Sequence, residues 1–328
     1  MELINNDALW FGNYGGCFVA DAFSMHCDRY YKEFVSAIEC PEFQEEFDEL
    51  KAKYQQEFRL LDDRVLLIPE NYYATIGTAL LYKCLSKKQA LIGCRYAEDA
   101  LFAAELSQDL GIHLKMYVTA ELSQDKTLMQ HLALMGVEIN EKNCQELVNH
   151  PEMYCFQEWL ADSEDKHIIN TRANVGAFPQ VNVASYFLRQ YVDDFKKFVS
   201  DHDLHYKKLV MPAVSGSSAL ALVEKDSDME YVTVECDVFD DLIEELDSFC
   251  GTFTKVVRNN YVDRVLCPEL CQLWDENKVQ RVRTDKDAIC KENVLKYPGL
   301  SLASYAVLNY KDEDSLTLVK ARKEGMDL

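Results

Sequence analysis

Short apolar, β-branched runs alternate along the chain with stretches whose apolar residues recur every three to four positions. The runs Val65–Ile68, Ala90–Gly93, Leu114–Val118, Leu209–Met211, Tyr231–Val234 and Leu316–Val319 read as strands. Between them, Glu98 and Asp99 place negative charge in the first turn of a helix whose apolar residues are Leu101, Ala104, Leu106 and Leu110. Gly111 marks its stop. A second helix runs from about Asp125 to a stop at Gly136, and a longer one from about Asn182 to Ser200 carries Tyr186, Phe187, Tyr191, Phe195 and Phe198. The stretch Tyr54–Phe58 reads as helical and leads almost directly into Asp62–Asp63. Strand–helix alternation of this kind predicts an α/β fold with parallel sheets covered by helices on both faces.

Composition narrows the picture. The 328 residues suffice for two lobes, and 48% hydrophobic with 27% charged residues describe a folded chain. A net charge of -22 argues against nucleic acid or an anionic membrane as partner, because phosphate contacts need clustered Lys and Arg. No segment has the basic-then-apolar layout of a leader or the length of a membrane span, so the 12 scattered cysteines are expected as reduced thiols in a cytoplasmic protein. Cys267 and Cys271 lack a second pair at zinc-site spacing, and His202 and His205 are remote from them in sequence, so no metal is expected.

One set of motifs is specific. Leu9-Trp10-Phe11-Gly12-Asn13-Tyr14-Gly15-Gly16 is followed by Phe18-Val19, then Phe34-Val35-Ser36-Ala37, then Pro41-Glu42-Phe43. This order resembles the start of the tryptophan synthase β chain, a family of fold type II pyridoxal-phosphate enzymes. The likeness continues through Gly77–Lys83, Leu110–Tyr117, Leu132–Glu138, Gly176–Pro179 and Val214–Ala219, and thins beyond about residue 220. It implies a two-lobed fold with a shortened second lobe. The N-terminal α/β lobe would span 1–200, with a mobile subdomain at about 90–185, and the C-terminal lobe 201–328.

The same resemblance identifies chemical positions, and this chain departs from the family at most of them. Asn71 stands where the family's lysine holds pyridoxal phosphate as a Schiff base, and an amide cannot form one. Glu70 precedes it where the family has histidine. Lys83 is 12 residues further on, roughly 18 Å along a helix, and reads as a solvated helix-end cation. Gly93 replaces the acid–base glutamate, and Arg95-Tyr96-Ala97-Glu98-Asp99 replaces the glycine-rich carboxylate seat. The phosphate loop survives best as Ser215-Gly216-Ser217-Ser218, equally readable as an ordinary strand-to-helix turn. Ala321 falls at the pyridine-nitrogen partner, and Ser301 is a further degenerate position. Tyr72, Tyr73, Arg95, Tyr96, Glu98 and Asp99 are expected to line the cleft between lobes.

The resemblance therefore implies a catalytically inactive relative, with no catalytic residue, acting through protein contacts or as a non-covalent ligand binder. No cofactor is expected unless pyridoxal phosphate binds without a covalent link. A homodimer or a hetero-oligomer with a synthase-type chain is the expected assembly, and the Lys126–His131 helix is the surface to test. The alternative is an enzyme, pyridoxal-phosphate-dependent or re-purposed, acting as a lyase or transferase on a small amino-acid-like substrate in that cleft.

Overall fold

A computed structural model describes residues 10–11, 15–16, 21–55, 57–69, 72–140, 151–169, 183, 186–213, 217–223, 228–236, 268–285 and 288–321. The chain divides into two compact units. Unit 1 takes residues 1–19, 56–71 and 185–322, and unit 2 takes 20–55, 72–184 and 323–328. The lobes expected from the resemblance, 1–200 and 201–328, were drawn as continuous stretches, whereas each compact unit takes several. The chain passes back and forth between units, and no local composition signal marks those passages.

In chain order, β1 (Trp10–Phe11) pairs antiparallel with β2 (Gly15–Gly16), and α1 (Asp21–Ile38) and α2 (Pro41–Lys53) follow. Pro41 begins α2, where its missing N–H costs nothing. The helix ends at Lys53, and Tyr54, Gln55, Glu57 and Phe58 are not helical, against expectation. The segment opens instead onto β3 (Arg59–Asp62), which folds back antiparallel on β4 (Val65–Leu67). Then come α3 (Tyr73–Cys84), β5 (Gln89–Cys94), α4 (Ala97–Leu110), β6 (Leu114–Val118), α5 (Ala120–Gln124), α6 (Lys126–Leu134), β7 (Glu138–Asn140), α7 (Pro151–Ala161) and β8 (Lys166–Ile168). The rest is the Tyr191–Asp201 helix, β9 (Lys208–Pro212), the Ser217–Leu222 helix, β10 (Glu230–Cys236), the Pro268–Asp275 helix, β11 (Gln280–Thr284), the helices Lys291–Lys296 and Leu302–Leu308, and β12 (Ser315–Val319).

All six strands expected from the sequence are present within a residue or two. The long helix expected from Asn182 is interrupted: Arg189 and Gln190 form a turn, and the regular helix begins at Tyr191.

Unit 2 is built on the parallel sheet β7-β6-β5-β8. Its α7 face carries Lys115 and Lys166, both bonded to Glu158 of α7. The opposite face carries Ala90 and His167, set against α3 and α1. α3 is nearly all buried, with Ile76, Ala79, Leu80 and Leu81 at 0% exposure. The joints after α4 and α6 share one device. Gly111 (φ 64°) and Gly136 (φ 83°) take the left-handed conformation, and Ile112 N–H and Val137 N–H reach back to Ser107 and Leu132 carbonyls. Ser86 (φ 51°) does the same after α3 with a side chain in place.

Unit 1 is built on the sheet β11-β10-β9-β12-β4-β3, parallel except at the β3 edge. Val210, Val232 and Val234 pack against Ala306 and Val307 of the Leu302–Leu308 helix. Val65 and Val319 pack with Tyr305, Leu308 and Leu300. From the other face, Trp274 Nε1 of the Pro268–Asp275 helix donates to Thr233 Oγ1 at 2.9 Å. All five residues of β12 are buried.

Candidate functional site

Parallel α/β sheets gather ligands at the carboxyl ends of their strands. In unit 1, register places the ends of β9, β12 and β4 side by side: Thr317 is paired with both Val210 and Val65, and Val319 with Leu67. Three segments singled out in the sequence leave this edge. Residues 214–218 follow β9, Lys320 and Ala321 follow β12, and Glu70–Asn71 follow β4 by three residues.

Glu70, Asn71, Ser215 and Gly216 lie outside the described residues, as do Gly176–Pro179 and the acidic stretch Phe239–Leu246. Ser217 and Ser218 open the Ser217–Leu222 helix. Ala321 is exposed and makes an antiparallel bridge with Leu300.

Behind Ala321 sits a serine pair of which the sequence signalled only half. Ser301 caps the Leu302–Leu308 helix, its hydroxyl accepting from Ser304 N–H. Ser304, fully buried, accepts from Lys320 N–H at 2.7 Å and donates to Lys320 O at 3.0 Å. Ser301 N–H also donates to Lys320 O at 3.0 Å. Three bonds thus fix the backbone where β12 ends.

Beside the carboxyl end of β9 lies a charged cluster that the strand pattern did not predict. Val234 is in register with Pro212, so Glu235 stands level with Ala213. The Glu235 carboxylate is 1% exposed. It receives two bonds from Arg281, at 2.5 and 3.1 Å, and one from Arg283 at 3.3 Å. The Arg281 guanidinium lies 4.3 Å from the ring centre of Trp274. Two arginines spaced by one residue, Arg281 and Arg283, were the legible signal: alternation puts both on one face.

The remaining candidates belong to unit 2. Tyr72 precedes α3 and is 9% exposed, its ring stacked on Phe102 of α4 with centroids 3.8 Å apart. Tyr73 is 4% exposed and meets Phe47 of α2 edge-on. Both rings form part of the α2–α3–α4 packing. Gly93 and Arg95 are half-buried, Tyr96 is buried and Glu98 is exposed. Asp99, also in the first turn of α4, is 3% exposed. Tyr96, which precedes that turn, has extended backbone and supplies no side-chain cap. Lys83 is at the surface and paired with Glu46, as expected.

Two further titratable groups in unit 2 are strongly perturbed. Burial alone would raise the Glu158 pKa, but bonds from Lys166, Tyr117 and Lys115 prevail and hold it at about 2. Burial, reinforced by the carboxylate it serves, pushes the Tyr117 phenol up. His167 on β8 is 1% exposed, and its Nε2 has no hydrogen-bond partner. Burial, with the Lys87 cation adding to it, depresses its pKa to about 3. Among the described residues, no group of three or more His, Cys, Asp or Glu is placed to hold a metal ion. No helix among them is long and apolar enough to cross a membrane.

No protein-family model matches the chain. A tryptophan synthase β chain 2 from Corynebacterium efficiens is 24% identical over 197 residues. That match covers 52% of this chain and 45% of the relative, so the chain spans about half the length of the curated relative it matches. The crystal structure of apo diaminopropionate ammonia lyase from Escherichia coli superposes with a TM-score of 0.50 at 12% identity, covering 95% of this chain and 91% of that one. At that identity the likeness is one of fold. With parallel sheets flanked by helices, this chain has the fold of the fold type II pyridoxal-phosphate enzymes and resembles the tryptophan synthase β chain in sequence.

Proposed function

We propose that this protein is a catalytically inactive relative of the fold type II pyridoxal-phosphate enzymes that works by binding. One observation carries the reading. The first turn of α4, which the resemblance assigns to a substrate carboxylate, already holds the chain's own carboxylate Asp99, at 3% exposure. A helix N-terminus has a limited set of free N–H donors, and an acidic side chain built into its first turn competes with a ligand for them.

Pyridoxal phosphate does not fit the residues present. Its aldehyde needs an amine where this chain has the amide of Asn71. Its ring nitrogen needs a polar partner where Ala321 offers a methyl group. The nearby hydroxyl of Ser304 is committed to Lys320. We assign no catalytic residue and no resident cofactor.

The binding surface proposed is α6, paired with a second copy or a synthase-type chain. Lys126, Thr127, Gln130 and His131 are exposed on it, and Leu134 is 88% exposed at its end. The test is to add pyridoxal phosphate to the purified protein, follow the aldimine absorbance, reduce with borohydride and map the peptides. Neither an aldimine band nor a stoichiometric lysine adduct is expected. One lysine modified in full, with amino-acid turnover, overturns the proposal. Size-exclusion chromatography alone and with tryptophan synthase chains tests the surface: a monomer that binds neither chain removes it.

A further inference from the structure

α2 and α3 run antiparallel. The C-terminal end of α2 leads to Tyr54, whose ring meets Phe102 edge-on, and Phe102 stacks on Tyr72 at the start of α3. At the other end, Glu46 of α2 is paired with Lys83 in the last turn of α3. That arrangement brings two thiols to the same end of the helix pair. Cys40 is the residue preceding α2, and Cys84 is the final residue of α3. Cys40 is half-buried and Cys84 exposed, and both are free thiols. The Cys40 thiol donates to the Glu42 carboxylate at 2.9 Å. Partial burial, then the charges of Glu46 and Cys40, push the Cys84 thiol up, while Lys83 pulls it down.

We infer that Cys40 and Cys84 are a redox pair, closed into a disulfide by a low-molecular-weight disulfide such as oxidised glutathione. The exposed Cys84, as thiolate, attacks one glutathione sulfur, and the other glutathione leaves as a thiolate that takes up a proton. The Cys40 thiol then loses its proton, attacks the Cys84 sulfur of the mixed disulfide and expels the second glutathione. Two protein thiols and one glutathione disulfide become one protein disulfide and two glutathione thiols. The bond closes a long loop and fastens the start of α2 to the end of α3, which restricts the opened chain more than the folded one. This inference stands independently of whether the protein is an enzyme.

The full-length native protein is incubated with oxidised glutathione, quenched in acid, and mapped by mass spectrometry without reduction. A linked Cys40–Cys84 peptide pair is expected, absent from Cys40→Ser and Cys84→Ser. In Cys40→Ser, Cys84 is expected to stop at the glutathione adduct. The inference is overturned if native wild-type protein stops at that adduct or pairs Cys84 with another cysteine. It is equally overturned if the Cys40–Cys84 link forms only in urea.

Discussion

His167 sets the pH at which unit 2 loses stability, and the size of the effect follows from its surroundings. The ring is 1% exposed, with its centre 5.3 Å from that of Tyr30 on α1. The Thr78 carbonyl of α3 accepts from it, Nε2 faces no acceptor, and Lys87 adds positive charge nearby. That carbonyl favours the protonated form but is outweighed by burial and the Lys87 cation. Its pKa in the fold is about 3, against an ordinary 6.5. A depressed histidine pKa means that the unfolded chain binds the proton more readily. The resulting destabilisation is absent above pH 6.5, grows as pH falls, and levels off below about pH 3. At about 1.36 kcal/mol per pKa unit, stability falls by about 2 kcal/mol between neutral pH and pH 5. The full effect is roughly 5 kcal/mol. The structural carboxylates act lower: Glu158, at about 2 in the fold, and Asp62, also depressed, lose their contributions only as pH drops through the ordinary carboxylate range and below. Urea unfolding at pH 7.0 and 5.0, for wild type and His167→Gln, isolates the histidine. Gln keeps a donor for the Thr78 carbonyl and does not titrate. The wild type should lose about 2 kcal/mol more than the variant over this interval. Parallel losses in the two proteins would refute the reasoning.

Other expectations are as direct. Asn71→Lys should restore neither an aldimine band nor turnover, because Ala321 and the buried Asp99 in the first turn of α4 remain; spectra and an amino-acid lyase assay decide it. A Cβ added at Gly111 meets nothing within 4 Å, so Gly111→Ala should cost only the left-handed backbone penalty of about 1–2 kcal/mol. Ser86→Gly at φ 51° should stabilise by up to about 1 kcal/mol, both read from urea midpoints. Asp62 is held by Lys311, Tyr297, the Arg64 N–H and Lys296, which together outweigh its burial and keep its pKa low. Asp62→Asn should therefore cost about 2 kcal/mol at pH 7 and progressively less as acid protonates the wild-type group, seen as converging urea curves. Glu235→Ala leaves the half-buried Arg281 without its carboxylate and should cost about 1.5–3 kcal/mol. If its urea midpoint matches wild type, the Glu235–Arg281 pair is not as described.

The central strands were legible because burial on both faces writes itself as an uninterrupted apolar run, as in Leu114–Val118 or Leu316–Val319. The edge strands were not. β11 reads Gln280-Arg281-Val282-Arg283-Thr284, and its arginines look solvated until Glu235 is found beneath them. β3 is four residues long with an exposed-to-intermediate pattern, so Arg59–Asp62 offered little period to detect. The helix stops at Gly111 and Gly136 followed from residue type, whereas Ser86 performs the same turn with no such mark. The interruption at Arg189–Gln190 was hidden by an aromatic stripe that continues across it. At the candidate site, the residue types at Gly93, Glu98, Asp99 and Ala321 could be read directly. That Asp99 is buried while Glu98 is exposed could not, since adjacent helical carboxylates differ only by the neighbours that tertiary packing supplies. Ser304 and Glu235 escaped for the same reason: their partners lie 16 and 46 residues away.

The position of β12 has a consequence for how the molecule is made. It is the last of the described strands, yet it lies between β9 and β4, separating two strands that themselves lie far apart in the chain. During translation, β4 and β9 emerge long before Ser315–Val319, so both present unpaired, apolar edges while some hundred further residues are added. The nascent chain therefore carries an open slot in this sheet until Ser315–Val319 has been made. A stalled or truncated product lacking β12 would hold two half-sheets without the strand that hydrogen-bonds them together, a natural substrate for chaperones and proteases.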